Sequence, residues 1–310
     1  MRTFDADALE CLAAIVEEGG FERAAVRLSI TQSAVSQRLR ALEAQAGTVL
    51  LVRTRPVKAT SAGRLLIKHA MQLRLLRSDL DSDLQDLAPG ASSNREEERI
   101  SIAINADSIA TWALPALDSL VSEGLPLEII TDDQDFTHEW LREGQVMGCV
   151  TTVKQALRGC KVLPLGAMPY VAVASPVYAQ IHCPQGLHAN NFRKIPFIAF
   201  NRKDDLQAEF VGRALGLRRV KLSQRFVPSS EGQVRAALAG WGATVVPELQ
   251  VRQLLDKAEL VNLAPQTALP VSLYWHCWNL HSVVIDQLTK ALAEAAAKVL
   301  NPAENQRVTK

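Results

Sequence analysis

The chain has 310 residues, 48% of them hydrophobic and 22% charged, and its 34 basic residues nearly balance 33 acidic ones for a formal net charge of +1. That length exceeds one small domain and suits two or three, with enough apolar content for a proper core. No apolar run reaches membrane-spanning length and the N-terminus shows no cleavable leader, so membrane-spanning and secreted classes are set aside in favour of the cytoplasm.

In chain order, Asp5 and Asp7 stand ahead of Leu9, Leu12, Ala13 and Val16, which share one helical face, and Gly19-Gly20 stops that helix. Residues 21–43 then read as helix, tight turn, helix. Ala24, Ala25 and Leu28 put small apolar groups on one side of the first, Ser29-Ile30-Thr31 breaks the pattern, and Val35, Leu39 and Leu42 recur at three- and four-residue spacing. Alanines there let two steeply crossing helices approach closely. Beginning at Thr31, the opposite face of the second helix presents Gln32, Ser33, Ser36, Gln37, Arg38 and Arg40. Those side chains carry the donors and acceptors that base edges and phosphates in a DNA groove require.

Beyond Gly47, the apolar Val49-Leu50-Leu51-Val52 and then Arg53, Arg55, Lys58 and Thr60 predict a short two-stranded wing, turned by Pro56, with cations near its tip. Residues 23–64 hold eight Arg and Lys against a single acid, Glu43. The positive charge is therefore concentrated around the helix-turn-helix, where it supplies salt-dependent phosphate attraction while the polar helix face reads sequence. A plainer alternative is a helical hairpin with solvated arginines; the wing and the local charge argue against it.

Gly20-Phe21-Glu22-Arg23-Ala24-Ala25, Thr31-Gln32-Ser33-Ala34-Val35-Ser36, Leu42-Glu43, Gly47, Leu51, Arg53, Thr60 and Gly63 together resemble the N-terminal signature of LysR-type transcriptional regulators. Leu51 departs from the Phe usual in that family but keeps the position apolar. Leu50 to Thr54, Ile104 to Trp112, Ser229-Ser230-Glu231 and Leu273-Tyr274-Trp275-His276 are similar to the lysine- and arginine-responsive ArgP (LysG) subgroup, as is Met147, where most of the wider family has Asp. The resemblance implies a winged helix-turn-helix DNA-binding domain, a two-lobed periplasmic-binding-protein-like effector domain, and control of basic amino-acid export and related genes.

Residues 64–88 contain no Gly or Pro and place Leu66, Leu73, Leu80 and Leu87 seven apart, with Ala70, Leu76 and Leu84 close to the same stripe. They predict a long helix, about 36 Å at the usual rise, whose apolar seam needs a partner. A second copy of itself is the simplest partner, giving a homodimer or homotetramer whose paired recognition helices read two half-sites of double-stranded DNA; packing on its own C-terminal domain is the alternative. Pro89 to Asn94 and the charges from Arg95 to Arg99 then read as a hinge over 89–99.

From residue 100 strands and helices alternate: strands at 100–104, 126–131, 145–152, 170–174, 195–200, 222–227, 243–246 and 271–278, with helices near 108–122, up to Gly144, and near 204–215, 231–239 and 282–300. That order implies a mainly parallel α/β sheet covered on both faces. We divide 100–300 into lobe I (100–168 and 273–300) and lobe II (169–272), joined by crossovers near Gly166–Pro169 and Pro265–Val271, with 301–310 as a tail and the DNA-binding domain at 1–63.

The cleft between lobes is the natural place for a small ligand. Asn105-Ala106-Asp107-Ser108 lies where a helix starts, so free amides and the helix dipole there favour a carboxylate, and Ser108 and Thr111 add hydroxyls. Simple capping by Asp107 or Ser108 is the alternative. Ser229-Ser230-Glu231 repeats the geometry in lobe II. Asp107, Asp132, Asp133, Asp204, Asp205 and Glu231 are candidate partners for the cation of a basic amino acid, and Thr151 and Thr152 end a strand beside the cleft. The preferred arrangement holds a carboxylate at Ser108 and neighbouring amides, with Asp107 or Glu231 near a cation and Thr151, Asp204 and Ser230 in support.

Cys11, Cys149, Cys160, Cys183 and Cys277 are odd in number and lack Cys-x-x-Cys spacing, which argues against a disulfide framework or zinc site. His138, His182, His188 and His281 lack ligand spacing, and His276 in an apolar strand reads as a structural histidine. No phosphate loop or nucleophile elbow is present, so no catalytic residue, metal or cofactor is expected. The sequence thus describes an effector-controlled, sequence-specific DNA-binding regulator, with RNA polymerase as a further partner and no membrane. Two alternatives stay open: an architectural or replication-inhibiting DNA-binding protein, and a helix-turn-helix fused to an α/β enzyme.

Overall fold

A computed structural model describes residues 3–87, 99–132 and 137–302. The expected hinge lies outside the described residues except for Arg99, as do Asp133 and most of the 301–310 tail. The first helix, α1 (Ala6–Glu17), is capped by Asp5, which accepts from the Ala8 amide at 2.9 Å. α2 (Phe21–Arg27) and α3 (Gln32–Ala46) follow, and Thr31 caps α3 by accepting from the Ala34 amide at 3.2 Å. Val35, Leu39 and Leu42 are buried with Ala24 and Ala25 of α2 and with Leu9 and Leu12 of α1. Each such aliphatic side chain contributes about 1.5–3 kcal/mol by leaving water, so α3 is anchored by one face while the other stays free. β1 (Leu51–Val52) and β2 (Lys58–Ala59) form the antiparallel wing, with Leu51 opposite Ala59.

α4 (Ser61–Leu87) begins at Ser61 and not at 64, because Thr60 caps it by accepting from the Gly63 amide at 3.1 Å. Its first half rests on the DNA-binding unit: Ile67 and Ala70 are buried there, and Arg74 pairs with Glu10 and Glu17 of α1. Another side of the same helix meets the C-terminal domain, where Leu75 joins the core and Lys68 Nζ donates to the Arg158 carbonyl at 3.4 Å. The alternative of packing against its own C-terminal domain therefore applies to part of the helix. Leu66 and Leu73 are half-buried against the N-terminal unit, while Leu76, Leu80, Leu84 and Leu87 are exposed.

The C-terminal domain opens with β3 (Ile100–Asn105), buried along its length and parallel to β4 (Leu127–Asp132). Between them the expected single helix is three pieces: α5 (Ala106–Ser108), a π-helical turn (Ile109–Ala113) and α6 (Leu114–Ser122). Pro115 accounts for the wide turn, since it has no amide hydrogen for the Thr111 carbonyl and its ring crowds that oxygen. α7 (Thr137–Arg142) leads into β5 (Gly148–Thr151), which flanks β3 in parallel. Then come β6 (Cys160–Ala174), α8 (Pro176–His182), β7 (Pro196–Ala199), α9 (Leu206–Leu215), β8 (Ser223–Phe226), α10 (Ser230–Leu238), β9 (Ala243–Pro247), α11 (Glu248–Asp256), β10 (Val261–Asn262), β11 (Leu269–Trp278) and α12 (Val283–Val299).

These strands build one sheet in the order β4-β3-β5-β11-β6-β9-β7-β8, with β10 paired to β6. The outer pairings β3–β4, β3–β5, β7–β8 and β7–β9 are parallel, but the centre is antiparallel, which corrects the mainly parallel expectation. The chain passes between the lobes near the two expected crossovers on paired strands. β6 runs through 166–169 and β11 begins within 265–271, and the two stay paired from Leu269 opposite Tyr170 to Trp278 opposite Cys160. Pro164, Gly166 and Pro169 look like breaks in the sequence, but the irregularity is absorbed by a bulge at Leu165, beside Gly166 with its φ of 134°.

Candidate functional site

Asn105 and Asp107 from lobe I and Phe200, Asp204, Gln207 and Gln233 from lobe II line a small cavity of about 30 Å³. That volume holds a water molecule, not an amino acid. Asp107 is deep in the fold yet lines this cavity. Tyr170 Oη donates to its Oδ2 at 2.6 Å, while the Ser230 hydroxyl donates to Gln250 Oε1 at 3.2 Å. Burial pushes the Asp107 carboxyl above the usual carboxylate range and the Asp204 charge adds to the rise, while the nearby Ser230 and Tyr170 hydroxyls oppose it without cancelling it.

Asp204 is fixed by its own backbone: its Oδ2 accepts from the Phe200 amide at 2.8 Å and its Oδ1 from the Leu206 amide at 3.0 Å. It therefore starts α9 and faces the cavity at once. Ser108 is fully buried and its Oγ has no hydrogen-bond partner among the described residues; the same holds for both side-chain polar atoms of Asn105 and for Trp112 Nε1. Unsatisfied buried donors and acceptors are costly, so four such atoms gathered around one helix start mark a place prepared for a polar ligand group or water.

Three expected contacts are placed elsewhere. Thr111 gives its hydroxyl proton to the Asp107 carbonyl at 2.6 Å, the ordinary habit of a threonine one turn along a helix, so it offers no free donor. Thr151 is buried, and its Oγ1 accepts from the Val153 amide at 3.3 Å, serving its own turn. Glu231 is exposed and pairs with Arg235 at 3.8 Å, because it sits a hundred-degree step around α10 from the inward-facing Ser230. Asp205 is exposed, and no side-chain position is described for Asp132. Sequence reasoning missed Phe200, Gln207 and Gln233, which line the cavity, and Tyr170, which bonds Asp107. The two glutamines carry a visible signal only as polar residues at buried helix positions.

On the N-terminal unit, Thr31, Gln32, Ser33, Gln37 and Arg40 are exposed, Ser36 is half-exposed, and the wing presents exposed Arg53, Arg55 and Lys58. Arg38 lies apart from them. It turns back to α1, where Nη2 is 3.3 Å from Asp7 Oδ2 and Nη1 is 3.9 Å from Cys11 Sγ. Arg27 is likewise held by Glu17 and Glu18. Among the described residues the exposed cations of this unit include Arg23 of α2, Arg40 of α3, and Arg53, Arg55 and Lys58 of the wing.

His276 is fully buried with Nε2 donating to the Val153 carbonyl at 2.7 Å, and burial pushes its pKa down, so it stays neutral. All five cysteines are free thiols. No helix among the described residues is long and apolar enough to cross a membrane, and no cluster of three His, Cys, Asp or Glu among them could hold a metal.

Residues 6–64 match the family described as bacterial regulatory helix-turn-helix protein, lysR family, and residues 93–297 match the LysR substrate binding domain. The chain belongs to the LysR family. This LysR-type regulator is 40% identical over 302 residues to the HTH-type transcriptional regulator ArgP of Pseudomonas fluorescens, covering 97% of this chain and 99% of that one. It superposes on the crystal structure of ArgP from Mycobacterium tuberculosis with a TM-score of 0.84, 41% identity, and coverage of 97% of this chain and 100% of that one. Full-length LysG from Corynebacterium glutamicum with bound effector Arg gives 0.74 and 35% identity, over 96% of this chain and 100% of that one. These relatives are transcriptional regulators and not enzymes, so the helix-turn-helix–enzyme fusion is set aside.

Proposed function

We propose that this LysR-type regulator takes a basic amino acid, arginine or lysine, between its lobes and controls amino-acid export or metabolism genes in the cytoplasm. One observation carries the reading: Asp107 and Asp204, from opposite lobes, face the same cavity, and no cation acts on Asp107 among the described residues. A guanidinium or ammonium supplies the missing positive charge. The ligand carboxylate would then meet Ser108 Oγ and Asn105 Nδ2, both without partners. That LysG from Corynebacterium glutamicum holds Arg as its effector supports the ligand class.

A cavity of about 30 Å³ admits such a ligand only when the lobes part. An open groove of about 580 Å³ lies between Glu139, Trp140 and Glu143 of lobe I and Arg202 and Lys203 of lobe II. Ligand that favours one lobe arrangement shifts the population toward it. α4 carries the change outward, because it touches lobe I through Lys68 and Leu75 and α1 through Arg74. Its exposed Leu76, Leu80, Leu84 and Leu87 would bury against a second chain, giving a homodimer or homotetramer that spaces two recognition helices on duplex DNA and presents them to RNA polymerase. In this reading Gln32, Ser33, Ser36, Gln37 and Arg40 read bases, and Arg53, Arg55 and Lys58 hold phosphates.

Calorimetric titration with arginine and lysine tests the ligand assignment. Wild type should bind at least one of them, and Asp204→Asn should weaken binding by about tenfold or more, the usual cost of truncating a charged hydrogen-bonding partner. Equal affinity in both proteins would overturn the role of Asp204.

A further inference from the structure

We propose that Arg74 is a positioning residue for operator recognition: by clasping Glu10 and Glu17 it fixes the angle at which α4 crosses α1, and so restricts the protein to one separation of DNA half-sites. The inference rests on the reading that two copies pair along α4 and set two recognition helices on one duplex.

The clasp is built from three bonds on a largely buried side chain, 14% exposed. Arg74 Nε donates to Glu10 Oε2 at 2.7 Å and its Nη2 donates to Glu10 Oε1, so the guanidinium fork meets that carboxylate with both prongs. Its Nη1 donates to Glu17 Oε1 at 2.9 Å. Glu10 and Glu17 lie two turns apart on α1, about 10 Å at the usual rise, and one guanidinium bonds to both. Glu17 also pairs with Arg27 of α2. Two acids and two guanidiniums thus run without a break from the linker helix, through α1, to the first helix of the helix-turn-helix. By contrast, the exposed Glu231–Arg235 pair makes a single 3.8 Å contact and fixes nothing beyond its own helix.

Apolar packing alone leaves the crossing loose. Ile67 and Ala70 of α4 are buried in the N-terminal core, with Leu66 and Leu73 half-buried beside them. Aliphatic ridges and grooves of this kind tolerate crossing angles that scatter by about 15–20°. Leverage turns that scatter into base pairs. α4 packs on α1 and α1 packs on α3, so two helix spacings of about 8–10 Å put the recognition helix roughly 20 Å from the α4 axis. A rotation of about 10° at the α1–α4 crossing then moves that helix by about 3.5 Å, which is one base-pair step of duplex DNA. Two heads discriminate half-site separation only if the crossing is held more tightly than side-chain packing holds it. A forked, planar guanidinium does so, because its paired bonds fail together when the geometry turns. Leu75, the next residue, is buried in the C-terminal core, so α4 is gripped from another side at the level of the clasp.

The test is selection by the full-length protein from a pool of random-sequence duplexes, with sequencing of the bound fraction and a thermal melt of each variant. Wild type should enrich a paired half-site motif at one centre-to-centre separation. Arg74→Met keeps an apolar stem of similar length and removes the fork. It should enrich the same half-site motif spread over about three neighbouring separations. Glu10→Gln keeps the side-chain volume, loses the paired charge, and should broaden the distribution in the same way; it decides the matter if Arg74→Met fails to fold. One sharp separation in the folded variants overturns the proposal and leaves the paired-head reading standing. Loss of the half-site motif itself in folded variants also overturns it, since Arg74 would then shape the reading surface and not its placement. Enrichment of isolated half-sites by wild type overturns both readings.

Discussion

The phenol of Tyr170 reaches the Asp107 carboxylate oxygen at 2.6 Å, tying the long central strand β6 to the first helical turn after β3. Removing the hydroxyl leaves a buried carboxyl oxygen unpaired. Tyr170→Phe should lower stability by about 1–2 kcal/mol in urea unfolding; an unchanged midpoint and slope would show that water replaces the hydroxyl without loss.

The raised Asp107 carboxyl has a pH signature of fixed sign. In the folded state it binds its proton more tightly than in the unfolded chain, so its contribution to stability is full below the ordinary carboxylate value and is lost as pH rises through the folded one. Wild type should therefore lose stability relative to Asp107→Asn as pH climbs through that window. Paired thermal melts across a pH series measure the difference, and parallel curves would count against it. Glu17 behaves oppositely. Burial pushes its carboxyl up, but the guanidiniums of Arg74 and Arg27 outweigh burial and hold it below the usual range, so its contribution is lost on acidification.

The two classes of DNA contact should separate in fluorescence titrations against salt. Gln32→Ala or Ser36→Ala should reduce discrimination between an operator and random duplex, by about 1–3 kcal/mol for a lost bidentate contact. Arg53→Ala should weaken binding to every sequence and lower the log–log salt slope by about 0.9. Arg38→Ala should do neither, because that guanidinium is turned to Asp7. Loss of DNA affinity in Arg38→Ala comparable to Arg53→Ala would contradict this division.

Leu80→Asp combined with Leu84→Asp should convert the assembly to monomer in sedimentation velocity. Both leucines are more than half exposed in the single chain, at 55% and 52%, and fully burying each contributes about 1.5–3 kcal/mol. A persistent dimer would move the interface off this stripe.

Gly144 touches the linker helix directly. A Cβ there would come within 2.6 Å of Lys68 Cβ and 2.9 Å of its Cα, at a φ of 76° that favours glycine. Gly144→Ala should cost about 1–3 kcal/mol and weaken the effect of arginine on DNA binding while leaving arginine affinity near wild type. Footprints with and without arginine, beside calorimetry, check both parts; a full arginine response in the variant would show that α4 is not the relay.

Local patterns were readable in the chain and contacts between distant segments were not. Val35, Leu39 and Leu42 spell the buried face of α3, and Thr31 and Gly47 mark its ends, because capping and periodicity act within a few residues. Arg38 was grouped with the DNA face because its pairing with Asp7 depends on how α1 crosses α3. Asp204 could be seen as a helix-start residue, yet its relation to Asp107 joins two lobes. The Tyr170–Asp107 bond spans 63 positions and leaves no periodic trace. Pro164, Gly166 and Pro169 punctuate β6 in the sequence, whereas in the sheet one bulge accommodates the irregularity.

β6 and β11 cross from one lobe to the other as hydrogen-bonded neighbours, register-locked on both sides of the Leu165 bulge. Neither half can slide past or detach from its sister without tearing that ladder. What remains to it is torsion, a spring-like wringing of one ribbon, with Gly166 pressed against Asn301 and Leu300 as its axle.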